Sequence, residues 1–102
     1  MKATFIKKMG REFNGDARLY RVEPPIEYEK YDSDNGEYKK YQTDYVVVSA
    51  ADVMFSGPET YIFASDEKGE IKYWGELSGS RKGVLDHHYV LREAGVEDIK
   101  GE

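Results

Sequence analysis

Along most of the chain before Leu77, apolar and polar residues alternate with a period of two, the spacing of strands with one buried face. Residues 3–6 are a short β-prone piece flanked by Lys2, Lys7 and Lys8, and edge lysines of this kind discourage unwanted pairing. Gly10 and the Asn14-Gly15-Asp16 cluster predict a turn, because Asn and Gly accept positive φ. In residues 17–22, Arg18, Tyr20 and Val22 alternate with Leu19 and Arg21, which predicts a strand. Pro24-Pro25 interrupts it, since two missing donors make the chain bend or run along an edge. Residues 26–31 resume the alternation, with Ile26 and Tyr28 on one face and Glu27 and Glu29 on the other.

The composition DSDNG at residues 32–36 is the clearest loop. Residues 38–51 follow, and their centre, Tyr45-Val46-Val47-Val48, is continuously apolar and β-branched, as a central strand buried on both faces requires. Residues 57–77 read as the hairpin around which the rest is organised. Pro58 opens it, Asp66-Glu67-Lys68-Gly69 turns it, and the return strand carries Ile71, Tyr73 and Trp74, the only tryptophan. Residues 78–83 are rich in Gly and Ser and predict a flexible, mobile loop.

The period then changes. Asp86 has the chemistry of an N-cap, and residues 87–94 predict a helix of about two turns, with Gly95 as its C′ residue and Val96 folding back. So short a helix cannot stand alone in water, so it docks, presenting His87, Val90, Leu91 and Ala94 to the sheet. These elements predict an α+β domain over residues 1–96. Its mainly antiparallel, strongly twisted sheet has about five or six strands, one short C-terminal helix packs on it, and residues 97–102 form a flexible tail.

Composition limits the function classes. The 102 residues include 39% hydrophobic and 14% aromatic residues, nine of them tyrosine, enough for one core and against disorder. With no cysteine, disulfides and thiolate metal sites are excluded, and no cofactor is expected. The N-terminal MKATFIKKMG lacks the apolar core of a secretory leader, and no apolar run approaches a membrane span, so a cytoplasmic location is expected. A net charge of -5 disfavours direct nucleic-acid binding, against which only Lys7, Lys8, Arg11, Arg18 and Arg21 form a basic group.

The pattern Gly57-Pro58-Glu59-Thr60-Tyr61-Ile62-Phe63, Trp74-Gly75-Glu76-Leu77, Gly79-Ser80, Leu85-Asp86-His87, Leu91 and Ala94-Gly95, together with Asn14-Gly15-Asp16-Ala17-Arg18-Leu19, resembles small, functionally uncharacterised proteins of actinobacteria and their phages. The resemblance implies a phage or mobile-element origin and a compact fold, and it brings no activity with it.

Three constellations bear on chemistry. Asp86-His87-His88 suggests a general base or metal site, but adjacent helical residues point about 100° apart, unlike the i, i+4 pair of a zinc helix. The plainer expectation makes Asp86 a cap, His87 a core-facing residue bonded to backbone or a loop, and His88 solvent-exposed. Gly79-Ser80-Arg81-Lys82-Gly83 offers two cations for an anion but lacks P-loop spacing, and no nucleophile-elbow serine is present. The third is the most uneven in charge: Glu23, Glu27, Glu29, Asp32, Asp34 and Glu37 stand against Lys30, with Tyr28, Tyr31, Tyr38 and Tyr41 interleaved. Tyrosine suits protein contacts because it offers large area with few rotamers.

The expected function is therefore a small non-enzymatic protein acting by protein–protein contacts. Its expected partner surface comprises Glu27, Tyr28, Glu29, Tyr31, Asp32, Asp34, Glu37 and Tyr38. The alternatives are inhibition of a host nuclease or defence complex by nucleic-acid mimicry, and a small-ligand binder or enzyme using His87. A monomer is expected, and strand pairing at residues 26–31 would permit a weak homodimer.

Overall fold

A computed structural model describes residues 1–10 and 15–102. Its centre is the strand β3 (Glu37–Val53), in which Val46, Val47 and Val48 are all inaccessible to solvent. Alternation sends Val46 and Val48 to one face of the sheet, where they meet Tyr20, Val22, Ile62 and Ala64. Val47 goes to the other face, against Leu19 and Ala17. The apolar run therefore means what its composition implies, a strand buried on both sides.

Around it lie β1 (Lys2–Lys8), β2 (Asp16–Asp32), β4 (Gly57–Ser65), β5 (Ile71–Tyr73), β6 (Arg81–Lys82), the helix α1 (His87–Glu93) and β7 (Asp98–Lys100). The strand order is β5-β4-β3-β2-β1-β7, with β6 beside the start of β4. Every pairing is antiparallel except β1 with β7. The expected α+β class, with its antiparallel sheet and one short helix, is thus observed, with seven strands among the described residues.

Helix α1 begins and ends as its sequence specifies. Asp86 has extended backbone, and its carboxylate accepts from the Tyr89 N–H at 3.1 Å. At the other end Gly95 takes φ +104, its N–H donates to Arg92 and the Val96 N–H donates to Leu91. That is a Schellman ending, which needs a residue free of Cβ strain at Gly95. Val90 and Leu91 lie in the core cluster on the helix-covered side of the sheet.

Two expectations are corrected. Residues 78–83 are not a mobile loop: Leu77 donates to the Ile62 carbonyl, the Ser80 hydroxyl accepts from the Ile62 N–H at 2.8 Å, and Arg81 and Lys82 pair with Thr60 and Glu59. Residues 97–102 are not a frayed tail throughout. Ile99 pairs beside Ala3 and packs on the core, while the Glu97 and Asp98 N–H groups both donate to the Met1 carbonyl. A single apolar residue between Asp98 and Lys100 gives no periodic signal, yet one half-buried side chain and a parallel partner suffice to fix so short an edge strand. Asn14 and Arg11, named above in the first turn and in the basic group, lie outside the described residues.

Candidate functional site

β1 leaves the sheet where Lys2 meets Glu23, and Pro24 and Pro25 have no N–H to offer a neighbour. On the other flank, β4 stops pairing with β3 at Ser65 opposite Tyr45. Beyond these points β2 and β3 continue together, paired from Ile26–Thr43 to Asp32–Glu37. The result is a two-stranded arm of residues 26–43, about 20 Å long at some 3.3 Å per residue. Among the described residues neither outer edge of the arm has a strand beside it.

The tip is built by Asp32. Its carboxylate accepts from the Asp34 N–H at 3.0 Å and from the Asn35 side chain at 2.9 Å, and Lys39 pairs with it at 2.9 Å. The Lys39 contact first, and then the turn's hydrogen bonds, hold the Asp32 carboxyl below its ordinary pKa. Gly36 closes the loop at φ +67, with its N–H on the Asp32 carbonyl.

Register places aromatic pairs on both faces of the arm. Tyr28 lies opposite Tyr41 and Tyr31 opposite Tyr38, with ring centroids 5.7 and 5.2 Å apart. Tyr28 also stacks on Tyr73 of β5 at 5.3 Å, nearly parallel, which ties the arm to the body of the sheet. Partial burial, then the neighbouring Tyr41 and Tyr73, push the Tyr28 phenol up from its ordinary pKa, so it stays neutral. By contrast Tyr31, Tyr38 and Tyr41 are 54%, 69% and 42% exposed.

All eight residues expected to meet a partner fall on this arm, but they do not form one surface. Glu27, Glu29, Tyr31 and Tyr38 share a face, Tyr28 belongs to the other, and Asp32, Asp34 and Glu37 occupy the tip. Asp32 is engaged in the turn. The acidity is also moderated from across the ladder, since Lys40 stands opposite Glu29 and Lys39 takes Asp32. Five carboxylates on the arm (Glu27, Glu29, Asp32, Asp34, Glu37) thus face three lysines (Lys30, Lys39, Lys40). A groove of about 420 Å³ at the base of the arm is lined by Glu27, Tyr28, Glu29, Lys40 and Ser78.

The expected eight-residue surface leaves out Lys39, Lys40, Tyr41 (named only among the interleaved tyrosines), Tyr73 and Ser78. The first three were recoverable, because pairing symmetrically about the DSDNG loop brings Tyr28 to Tyr41 and Glu29 to Lys40. Tyr73 and Ser78 arrive through tertiary packing and leave no local signal.

His87 is buried and its Nε2 donates to the Asp16 carbonyl at 2.7 Å, in line with a core-facing histidine bonded to backbone. Burial, the largest influence, lowers its pKa. His88 is not solvent-exposed: it is half-buried, and its Nε2 is buried with no hydrogen-bond partner among the described residues. Among those residues no three His, Asp or Glu side chains gather as a metal site. Of the cations in the 79–83 segment, Arg81 is engaged by the Tyr89 hydroxyl and ring, and Lys82 falls opposite Glu59 in the ladder. The basic group is dispersed too, as Arg18 pairs with Asp16 and Arg21 with Glu23.

No helix among the described residues is long and apolar enough to cross a membrane. Neither family models, nor curated proteins, nor solved structures give a match to this chain. The functional reading accordingly rests on the geometry above.

Proposed function

We propose that this chain is a small non-enzymatic protein that works by protein–protein contacts, with the 26–43 arm as its contact surface and the phage or mobile-element origin that its motifs imply. One observation carries the reading. Tyr31, Tyr38 and Tyr41, large side chains with few rotamers, are left exposed on an arm that extends past the rest of the sheet. Such residues supply contact area at low entropic cost, and a polar rim of carboxylates and lysines surrounds them.

The mimicry reading requires a row of phosphate-like acids. Glu27 and Glu29 make a row of two, with Lys40 opposite Glu29, so plain contact is favoured over imitation of nucleic acid. For catalysis, His87 would need a ring nitrogen facing a cavity, whereas its side chain is buried, its Nε2 donates to the Asp16 carbonyl and it does not line the groove at the arm.

Affinity capture from a host lysate at low and high salt tests the proposal, comparing the parent chain with Glu27→Lys/Glu29→Lys and with Tyr31→Ser/Tyr38→Ser. A specific protein held by the parent and lost by both variants is expected. Capture of nothing specific, or a captured set that neither variant alters, overturns it.

A further inference from the structure

We propose that the outer edge of β2 over residues 26–32 receives an extended, lysine- or arginine-bearing segment of a partner as an added β-strand. This rests on the reading of the arm as the contact surface, and it specifies how and with what chemistry contact is made.

Four observations converge. The first is backbone geometry: from Ile26 onward β2 has β3 on one side and, among the described residues, no strand on the other. Seven residues of open ladder match the usual length of a strand, and an incoming chain could satisfy every outward N–H and C=O. Pro24 and Pro25, without N–H groups, set the limit of that ladder.

The second is charge. The edge strand carries Glu27 and Glu29 on one face, with Lys30 as its only cation between residues 26 and 32. Pairing with a second copy about a two-fold axis must oppose residues of the same face. Centred on Tyr28 it sets Glu27 against Glu29 twice; centred on Glu27, Glu29 or Lys30 it sets that charge against itself. Like charges directly opposite one another destabilise a ladder, so these registers of self-pairing are all disfavoured. A strand with basic side chains at alternate positions reverses each of those contacts.

The third is preorganisation. Tyr28 stacks on Tyr41 and Tyr73, inward from the edge, which fixes the strand that bears it without further ordering. Tyr31 on the opposite face leans edge-on against Tyr38. Aromatic faces of this kind cover the methylene stems of Lys and Arg and attract their charged ends. The fourth is space, since a groove at the base of the arm is lined by Glu27, Tyr28 and Glu29 of this strand together with Lys40 and Ser78.

The probe is a fluorescently labelled peptide of about seven residues alternating Lys with Val, titrated against the full chain and followed by anisotropy. Saturable binding is expected, weakened at least roughly tenfold by Glu in place of the peptide's Lys, by one central Pro, and by Glu27→Lys/Glu29→Lys in the protein. Amide exchange should slow at residues 26–32 of the protein and not along the outer edge of β3. No binding, or a Pro-containing peptide that binds as tightly as its parent, overturns strand addition, the latter because charge alone would then suffice. So does sedimentation showing a dimer broken by Tyr28→Pro, which would make a second copy the occupant. A protein partner lost on Tyr31→Ser/Tyr38→Ser, without peptide binding, leaves the arm as contact surface and removes only the strand mechanism.

Discussion

The imidazole of His87 donates from Nε2 to the main-chain carbonyl of Asp16 at 2.7 Å, joining the first residue of α1 to the first residue of β2. The Asp16 carboxylate lies 4.0 Å from the same nitrogen and pairs with Arg18 at 2.9 Å. Burial lowers the pKa of His87 below 6.5, with the Asp16 carbonyl acting in the opposite sense. The unfolded chain therefore binds more protons than the folded one in the window just below that value, and stability rises with pH there. The contribution is complete above about 6.5 and is lost as pH falls through the folded-state pKa. At Asp16, partial burial pushes upward, but the Arg18 bond and the charges of His87, Arg18 and Lys8 prevail and lower its pKa. Its contribution is present above 3.8 and lost on further acidification. Urea midpoints measured from pH 8 to pH 5 should decline below about 6.5. His87→Gln should flatten that decline while lowering stability at pH 8 by about 1–3 kcal/mol. A midpoint independent of pH in the parent would contradict the assignment.

Gly79 and Gly83 separate steric need from conformational need. Both have positive φ, +103 and +89. A Cβ at Gly79 would come 2.5 Å from the Val90 carbonyl oxygen and 2.9 Å from Ala94, where the 78–83 segment passes under α1. At Gly83 it would meet nothing within 4 Å. Gly83→Ala should thus cost only the left-handed penalty of about 1–2 kcal/mol. Gly79→Ala adds a backbone clash and should cost about 3 kcal/mol or more. Denaturant melts of the two variants decide it, and equal losses would mean that α1 can shift to accommodate a methyl group.

How much of this was legible beforehand depends on how local the signal is. Val46-Val47-Val48, Asp86 and Gly95 each announce their role within a few residues, and the strand and both helix caps follow. Trp74 does not: a lone tryptophan on a hairpin suggests core, yet it is 64% exposed and packs beside Phe63 near the sheet's other face. β6 and β7 depend on partners far along the chain, Thr60 with Arg81 and Ala3 with Ile99, so short windows cannot find them. For the arm, alternation gave the faces and the DSDNG loop gave the symmetry. What it could not give was the neighbour, Tyr73, which arrives from a different hairpin.

Phe55 sits fully exposed at the tip of the β3–β4 turn with φ +73, between Val53 and Gly57, which pair across the loop. A bulky L-residue in this conformation is strained by about 1–2 kcal/mol, and no burial offsets it. Replacing it by Asn or Gly, which accept the left-handed region, should raise stability by about 0.5–1 kcal/mol in denaturant unfolding. A loss on Phe55→Asn would mean the ring makes contacts in the folded chain that its full exposure does not suggest.

The tie between arm and body predicts how the arm moves. An isolated two-stranded ribbon is marginal in water, so the arm's order depends on what holds its base. Tyr73 does so by stacking on Tyr28 at 5.3 Å with 12° between the ring planes, from a strand that pairs with β4. An aromatic pair of this kind contributes about 0.5–1.5 kcal/mol beyond its area, which is roughly two- to tenfold in a local opening equilibrium. Tyr73→Ala should therefore speed amide exchange across residues 26–43 by about that factor or more, while Val46, Val48 and Ile62 keep the protection of the core. Tyr73→Phe keeps the ring and should leave exchange in the arm close to that of the parent. If the arm is the contact surface, Tyr73→Ala should also weaken partner binding by a comparable factor, because an arm that must be ordered on binding surrenders part of its contact energy. Uniformly faster exchange over the whole sheet would place Tyr73 in the global core instead. An unchanged arm would mean that the Tyr28–Tyr41 and Tyr31–Tyr38 pairs hold it without help.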